Sequence, residues 1–518
     1  MDQAKAMAEE LSPSTPHRGG ITLCVMLATL MQSLDTTIAN VALPHMQGSL
    51  AASQDEVDWV LTSYIVAAAI ATPLTGFLTA RLGLKRLFIV SVVGFTIASM
   101  LCGMAQSVAE IVIFRWLQGL FGAALVPLSQ TVLLNINPPQ RHGSAMAAWG
   151  MAVMAAPILG PVLGGWLTED YSWRWVFYIN LPIGVLALIG MMIFLPQARR
   201  RTDARLDWTG FVTLSIAIAA LQVMLDRGQE LDWLSSKEIV VEAIVAGSAF
   251  YVFLVHIFTA REPFLRPALF RDRNFTAGVL FVAIVGLTFY ASLALQPPYL
   301  QDLMDYPVIT AGFVMGPRGI GTMVAMMVVG KLMGRTDTRL LLGFGLGLSA
   351  WTFYLMTGWT PDVSSWTVIW VGVIQGVGLG FLFTPLSVVS LSTLAPGVRP
   401  EGAGFYNLAR NVGSSIGISI VGALLARTTQ ANHADIAQYV TAVNRQFGNP
   451  AVAQTLNPLT ASGRAALDAL ITQQAQVIAY IDDYKFLMIA TLAVIPLLVV
   501  FKGRADVSSG EHSTVAEI

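Results

Sequence analysis

Fourteen long apolar stretches divide this chain, and its lysines and arginines fall almost entirely in every second gap between them. That alternation commits the sequence to a bundle of membrane helices. A bilayer core about 30 Å thick takes roughly 20 apolar residues per helical crossing. The pattern predicts spans near 21–43, 57–79, 87–105, 109–133, 144–167, 175–195, 209–225, 239–258, 277–297, 309–330, 340–358, 366–391, 402–426 and 486–501. An even number places both termini on one side. With that side cytoplasmic, 20 of the 30 Lys and Arg residues lie inside, as positive-inside topology requires. Outside fall Arg174, Arg227, Lys237, Arg427, Arg445, Arg464 and Lys485, and Arg115, Arg318 and Arg410 stand within spans. Composition agrees, since 55% hydrophobic against 12% charged residues leaves too little polar surface for a soluble chain of 518.

The resulting organisation is a cytoplasmic tail at 1–20, a six-helix bundle at 21–195, two additional spans within 196–260, a second six-helix bundle at 261–501, and a cytoplasmic tail at 502–518. An internal repeat supports it. Gly76, Leu78 and Arg81 after span two match Gly330, Leu332 and Arg335 after span ten. Gln118, Gly119 and Pro127 to Ser129 in span four match Gln375, Gly376 and Pro385 to Ser387 in span twelve. The two offsets are 254 and 257 residues, so the matches describe duplicated halves with spans seven and eight inserted between them. One position has diverged in charge: Arg115 before Gln118 corresponds to Gly372 before Gln375.

Several function classes are excluded by what the chain lacks. A net charge of −1 without a long basic tract argues against a nucleic-acid partner. Cys24 and Cys102 both lie in apolar spans and suggest neither a disulfide nor a metal site. The first 20 residues are polar and lead into a full span, which predicts no cleaved signal peptide. No phosphate-binding Gly-x-x-x-x-Gly-Lys-Ser/Thr run occurs, so ATP is not the energy source, and the six histidines form no cluster. No cofactor is expected.

The chemistry therefore rests on charge inside the membrane, where an ionisable group is costly unless paired or hydrated. Asp35 lies roughly 21 Å from the inner edge of an outward-running helix, and Arg115 roughly 9 Å from the outer edge of an inward-running one. In a core of about 30 Å these are one depth. A carboxylate and a guanidinium so placed attract strongly, which makes Asp35 the candidate proton carrier and Arg115 the charge that favours its ionised form in one conformation. The alternative is that Asp35 only ties span one to its neighbours, with Thr37 and Asn40. Arg318 and Arg410 have no obvious acid within a span, leaving them to neutralise an anionic substrate or to bind carbonyls and water.

Span five carries Gly160, Gly164 and Gly165 with Pro157 and Pro161. Glycines four apart permit close helix approach, and prolines allow bending. Gly343, Gly345 and Gly347, and Gly376, Gly378 and Gly380, lie inside spans and read as packing faces.

Leu34, Asp35, Thr37, Ile38, Asn40, Ala42, Leu43 and Pro44 resemble the first-helix signature of the 14-helix drug:proton antiporters of the major facilitator superfamily. Gly76 to Arg86 resembles the superfamily's loop between helices two and three, Arg115 to Gly122 its fourth-helix motif, and Ala156 to Gly165 its fifth-helix antiporter motif. Met224 to Gly228 with Leu231 to Trp233, and Asn407, Arg410, Gly413 and Ser415, are similar to the EmrB-type exporters. One departure stands in the loop motif: Ala80 precedes Arg81 where the family usually has Asp, and Leu84 follows Gly83. Arg81, Lys85 and Arg86 then serve as a gate element or simply as anchors to anionic lipid.

The resemblance implies an all-α major facilitator fold in a bacterial inner membrane, with protons as the coupling ion. It also implies a periplasmic adaptor protein and an outer-membrane channel as partners. Spans one, four, nine and twelve would line the cavity, offering Met31, Gln32, Trp116, Gln118, Phe289, Tyr290, Gln296, Tyr299, Gln375 and Phe381, with Arg318 and Arg410 nearby. Apolar and aromatic linings favour hydrophobic or amphipathic compounds, and 21 methionines suit promiscuity. Multidrug efflux by alternating access is the leading reading. A proton symporter, or an exporter dedicated to a metabolite, fatty acid or siderophore, is second; a membrane enzyme is a distant third. The one long outer segment, 427–485, is expected to form short amphipathic helices from Ile436, Tyr439, Val440, Val443 and Phe447 and from Leu467, Leu470, Ile471 and Ile478, either as an adaptor-docking surface or as a cover over the outer mouth.

Overall fold

Helices start in this chain where a polar cap residue meets an apolar run. The structure, a computed structural model, describes residues 17–196, 206–261, 263–440, 456–457 and 459–501. The first half contains α1 (Arg18–Leu50), α2 (Gln54–Ala71), α3 (Leu74–Leu82), α4 (Leu84–Met104), α5 (Val108–Gly122), α6 (Leu125–Ile136), α7 (His142–Asp170), α8 (Trp175–Tyr178) and α9 (Asn180–Phe194). Next come α10 (Trp208–Arg227) and α11 (Lys237–Thr259). The second half contains α12 (Arg273–Pro298), α13 (Val308–Leu332), α14 (Thr338–Met356), α15 (Ser365–Ser392), α16 (Arg399–Ala437) and α17 (Ala461–Ala493). Ser53 and Glu56 form a capping box at α2, and Ser107, Asp207, Asp272, Ser364 and Thr460 cap α5, α10, α12, α15 and α17 through their side-chain oxygens.

Among the described residues thirteen helices are long and apolar enough to cross a membrane, and the bent pair α2 and α3, taken as one span, makes a fourteenth. The second span is not the single straight helix expected over 57–79. It bends by 59° between Ala71 and Leu74, at Pro73, whose ring removes a backbone donor. Span four is likewise two segments, α5 and α6, parted at Ala123 and Ala124.

The largest difference lies in the segment between the last two spans. Instead of separate short helices, the flanking membrane helices continue through much of it: α16 runs on to Ala437 and α17 begins at Ala461. His433 and Asp468, 3.0 Å apart, join the two extensions. Tyr439, Leu459 and Leu470 are exposed there. Val443 and Phe447 lie outside the described residues, as do the terminal tails 1–16 and 502–518 and the arginines at 199–201 and 205.

Within the first half α1 packs on α7 and α2 on α5; within the second α12 packs on α16 and α13 on α15. The halves meet along α7 and α13, where a Cβ on Gly143 would stand 2.7 Å from the Met333 Cβ and one on Gly330 would stand 2.9 Å from the Ala147 Cβ. At the end of the molecule where α1 begins, Arg399 donates to Asn135 (2.8 Å) and Asn407 to Gln130 (2.7 Å), so the halves are closed there. Of the two additional helices, α10 touches both halves. Thr62 of α2 bonds Asp226, and Ser415 of α16 donates to Gln222 at 3.0 Å. α11 packs on α10 and is otherwise largely exposed, as a helix facing lipid must be.

Candidate functional site

The centre of the first half is a charge pair inside a shell of neutral hydrogen-bond donors. Arg115 Nη1 donates to Asp35 Oδ2 at 2.5 Å, with both side chains 1% exposed. The other carboxylate oxygen accepts from Gln118 Nε2 (2.7 Å) and Asn180 Nδ2 (2.8 Å). Asn180 also donates to Ser99 Oγ, which in turn donates to the Phe177 carbonyl at 2.8 Å. Arg115 is held from its other sides by the Val60 carbonyl (3.1 Å), Gln118 Oε1 (2.8 Å) and the ring of Tyr64, whose centroid is 4.3 Å from the guanidinium carbon. Gln32 donates to the Tyr64 hydroxyl at 3.2 Å. α1, α2, α4, α5 and the start of α9 therefore all converge on one carboxylate. Every partner except Arg115 is neutral, so the pair carries no net charge and any proton it takes up creates one.

Sequence depth brought Asp35 and Arg115 together, but the family resemblance assigned Gln118 and Gln32 to a substrate cavity. The structure places them in this charge site. Asn180, Ser99 and Tyr64 went unrecognised; the one signal available was that each is a polar group embedded in an apolar run. Thr37 supports the site differently, donating to the Ala156 carbonyl of α7 at 3.2 Å, while Asn40 is exposed.

The duplicated half holds a counterpart with its charges rearranged. The offset that aligns Gln118 with Gln375 also aligns Asp35 with Ser292, Gln32 with Phe289 and Arg115 with Gly372, and the 254-residue offset aligns Tyr64 with Arg318. These counterparts also meet. Arg318 donates to Ser292 Oγ and Gln296 Oε1, both at 3.1 Å, and lies 4.7 Å over the Phe289 ring. Gln375 donates to Ser292 at 3.3 Å. A Cβ on Gly372 would stand 3.7 Å from the Arg318 Cβ, so the guanidinium has moved from the span-four position to the span-two position of the repeat. The acid has become serine, and Arg318, buried at 5% exposure, has no carboxylate partner among the described residues.

The remaining candidates scatter. Trp116 is 43% exposed and does not line an interior cavity, because one helical residue turns its side chain by about 100° from the buried Arg115. Met31 is buried in the hydrophobic core, Phe381 packs on Phe344, and Tyr299 packs on Trp359 and Tyr480. Phe289 and Gln375 border a small apolar cavity together with Thr288, Ser349, Leu379 and Thr491, and Tyr290 is half-buried beside Phe289. Arg410 is buried and reaches Asn411 at 3.4 Å, while its Nε has no partner among the described residues.

Of the conformational motifs, Gly160 and Gly164 face Thr37, Ile38 and Val41 of α1, whereas Gly165 has open space beside it, so only part of the motif packs. Pro157 and Pro161 lie within an otherwise continuous α7. Gly83 takes φ 83°, a left-handed setting that lets α3 end and α4 begin within one residue. Arg81 is exposed, Lys85 donates to the Met192 carbonyl (2.9 Å), and Gly76 abuts Glu401 of the second half.

Comparison with known proteins agrees with this architecture. The Major Facilitator Superfamily model matches residues 25–418. The chain is 35% identical to the fatty acid resistance protein FarB of Neisseria gonorrhoeae over 95% of this chain and 97% of that protein. It is 37% identical to the multidrug export protein EmrB of Escherichia coli K12 over 82% and 83%, and 33% identical to the probable multidrug resistance protein EmrY of the same organism over 93% and 96%. Among solved structures it is similar to the human organic anion transporter MFSD10 (TETRAN), with a TM-score of 0.57, 14% identity, and coverage of 92% of this chain and 100% of that one. At that identity the likeness speaks to fold alone.

Proposed function

The chain belongs to the major facilitator superfamily, among its EmrB-type exporters, and from that premise we propose that it is a proton-driven exporter of hydrophobic and amphipathic compounds. It is a multi-pass membrane transporter rather than an enzyme. In this reading it sits in a bacterial inner membrane with both termini cytoplasmic, and works with a periplasmic adaptor and an outer-membrane channel.

The observation that carries the proposal is the buried pair Asp35 and Arg115. Desolvating two charges is favourable only while they neutralise each other at close range. A proton on Asp35 leaves Arg115 a buried, uncompensated cation, and the bundle must rearrange to hydrate it or find it a partner. Asp35 stands on α1, whose Thr37 grips α7 at Ala156, and α7 forms the seam with α13. A change in charge is thereby passed to the surface on which two rocking halves turn. Substrate would load from one side and leave from the other as the proton runs the opposite way.

A narrower reading, export of a fatty acid, is supported by the similarity to FarB and by Arg318, a buried guanidinium without a carboxylate among the described residues. Inverted vesicles with an imposed pH gradient test both. Accumulation of a fluorescent dye and of a labelled fatty acid is expected in the wild type and lost in Asp35→Asn; full proton-driven transport in both Asp35→Asn and Arg115→Ala would falsify the coupling. Accumulation of the fatty acid without the dye would select the narrower reading, and uptake in the opposite orientation would select a symporter.

A further inference from the structure

We propose that Asp483 is a second proton-binding site of the transport cycle, loaded from the aqueous face opposite the termini and sealed by a ring of four aromatic side chains. The inference rests on the proton-coupled reading above.

Asp483 has no accessible surface, and neither of its carboxyl oxygens has a hydrogen-bond partner among the described residues. An ionised carboxylate in that setting would cost many kcal/mol, so the group holds a proton. Its surroundings repeat the pattern. Tyr480, Asp483, Tyr484 and Leu487 share one face of α17, at spacings of three and four. Tyr299 meets Trp359 (5.7 Å), Trp359 meets Tyr484 (5.9 Å), Tyr484 meets Tyr480 (6.5 Å) and Tyr480 meets Tyr299 (5.1 Å), which closes the ring. The Tyr299 and Tyr484 hydroxyls and the Trp359 indole nitrogen are also buried and unpartnered. Five such atoms in one place are the signature of a polar site closed over, since buried polar groups are otherwise paired almost without exception.

The position suits exchange with the far face. Asp483 precedes Phe501 by 18 residues, and Arg339 and Arg273 tether Phe501 and Val499 at the end bearing the termini. The helical path over that length, α17 as far as Ala493 and then a 3-10 turn over Ile495–Val500, reaches about 27–30 Å, close to the opposite edge of a core about 30 Å thick.

Few charges face it. On α17 itself Asp482 is engaged by Lys485 at 3.1 Å. The turn Tyr299–Leu303 that follows α12 contributes Asp302 beside Tyr480, and α13 contributes Arg318, within electrostatic reach of the Tyr484 hydroxyl. Charged residues on α12 and α14 stand only at their far ends, Arg273 and Arg339. On α16 the pair His433 and Asp468 fixes an antiparallel register that sets Arg427 about 14 Å to one side of Asp483 along the helix and the buried Arg410 about 12 Å to the other. Arg318 and Arg410 are the buried cations of this half, and Arg318, which reaches the adjoining Tyr484, is the one assigned to compensate Asp483 when its proton leaves. In the repeat this replaces the acid lost at Ser292: the second half keeps a base and an acid, but carries them on α13 and α17.

Infrared difference spectra of the full chain in lipid nanodiscs test the assignment. At neutral pH a protonated-carboxyl band is expected in the wild type and in Asp35→Asn, and its loss is expected in Asp483→Asn. An unchanged band in Asp483→Asn overturns the proposal. Should that variant not fold, the native chain is treated with dicyclohexylcarbodiimide, which attacks buried protonated carboxyls, and peptides are mapped by mass spectrometry; modification at Asp483 supports the site and its absence refutes it. In proteoliposomes, fewer protons are expected to move per dye molecule in Asp483→Asn, and an unaltered ratio removes the residue from the cycle. Wild-type dye transport without proton movement defeats coupled export itself and leaves the spectroscopic result standing.

Discussion

Gly76 of α3 lies against Glu401 at the start of α16, so close that a Cβ on the glycine would stand 2.8 Å from the glutamate Cα. This contact crosses from one half to the other at the closed end. The Gly76→Ala variant is therefore expected to disfavour closure by about 1–3 kcal/mol, the ordinary cost of overpacking against backbone. Spin labels on α3 and α16 should report longer distances in the variant; an unchanged distribution would show that the contact does not hold the ends together.

Arg115→Ala strands Asp35 with only the amides of Gln118 and Asn180. Breaking a buried pair by removing one partner costs about 3–5 kcal/mol. Thermal unfolding in detergent should fall markedly for Arg115→Ala, and adding Asp35→Asn to it should restore part of the loss. If the double variant is instead as unstable as the two losses summed, the residues do not interact as a pair.

The fifth-span motif supplies a contrast within a few residues. Gly160→Ala places a methyl 2.7 Å from the Thr37 Cβ, whereas Gly165→Ala meets open space. The first should lower stability and transport together. The second should be neutral, or more stable by up to about 1 kcal/mol, because alanine is the better helix former. Equal effects on melting temperature would mean that α1 and α7 do not approach as described.

Asp207 joins the two additional helices to the loop that follows them. It caps α10 through Gly210 N and accepts from Phe264 N and from His256 of α11. Burial pushes its carboxyl up, but these donors outweigh it and hold the group below the usual carboxylate range. Its contribution is thus fully present above that range and is lost as pH falls through the lowered value. Asp207→Ala should cost about 1 kcal/mol at neutral pH. Asp207→Asn should unfold with less acid dependence than the wild type, measured by melting temperature between neutral and acidic buffer.

The path of the chain through the membrane was legible because hydropathy and charge alternation are averaged over whole spans. The meeting of Asp35 with Arg115 was legible for a related reason: depth follows from residue count alone. Rotation about the helix axis is not encoded so simply. Trp116 neighbours Arg115 in sequence yet is turned out of the interior, and Asn180 and Tyr64 gave no local sign that they converge on one carboxylate. Asp483 was hidden by its neighbours, since Asp482 and Lys485 lower the local hydropathy enough to read as loop. Glu401 stayed unread for want of a rule placing an acid across the seam from a loop in which Ala80 stands at the usual position of the acid.

The unbroken run of α16 from Arg399 to Ala437 is about 58 Å long, nearly twice the hydrocarbon thickness. It packs along α17, and in the proposed rocking cycle the two would act together as an arm pivoting within the bilayer. A tilt of the second half too slight to disturb side chains near the pivot sweeps the tip of that arm through a larger arc. Whatever rests on the tip is mechanically geared to the stroke.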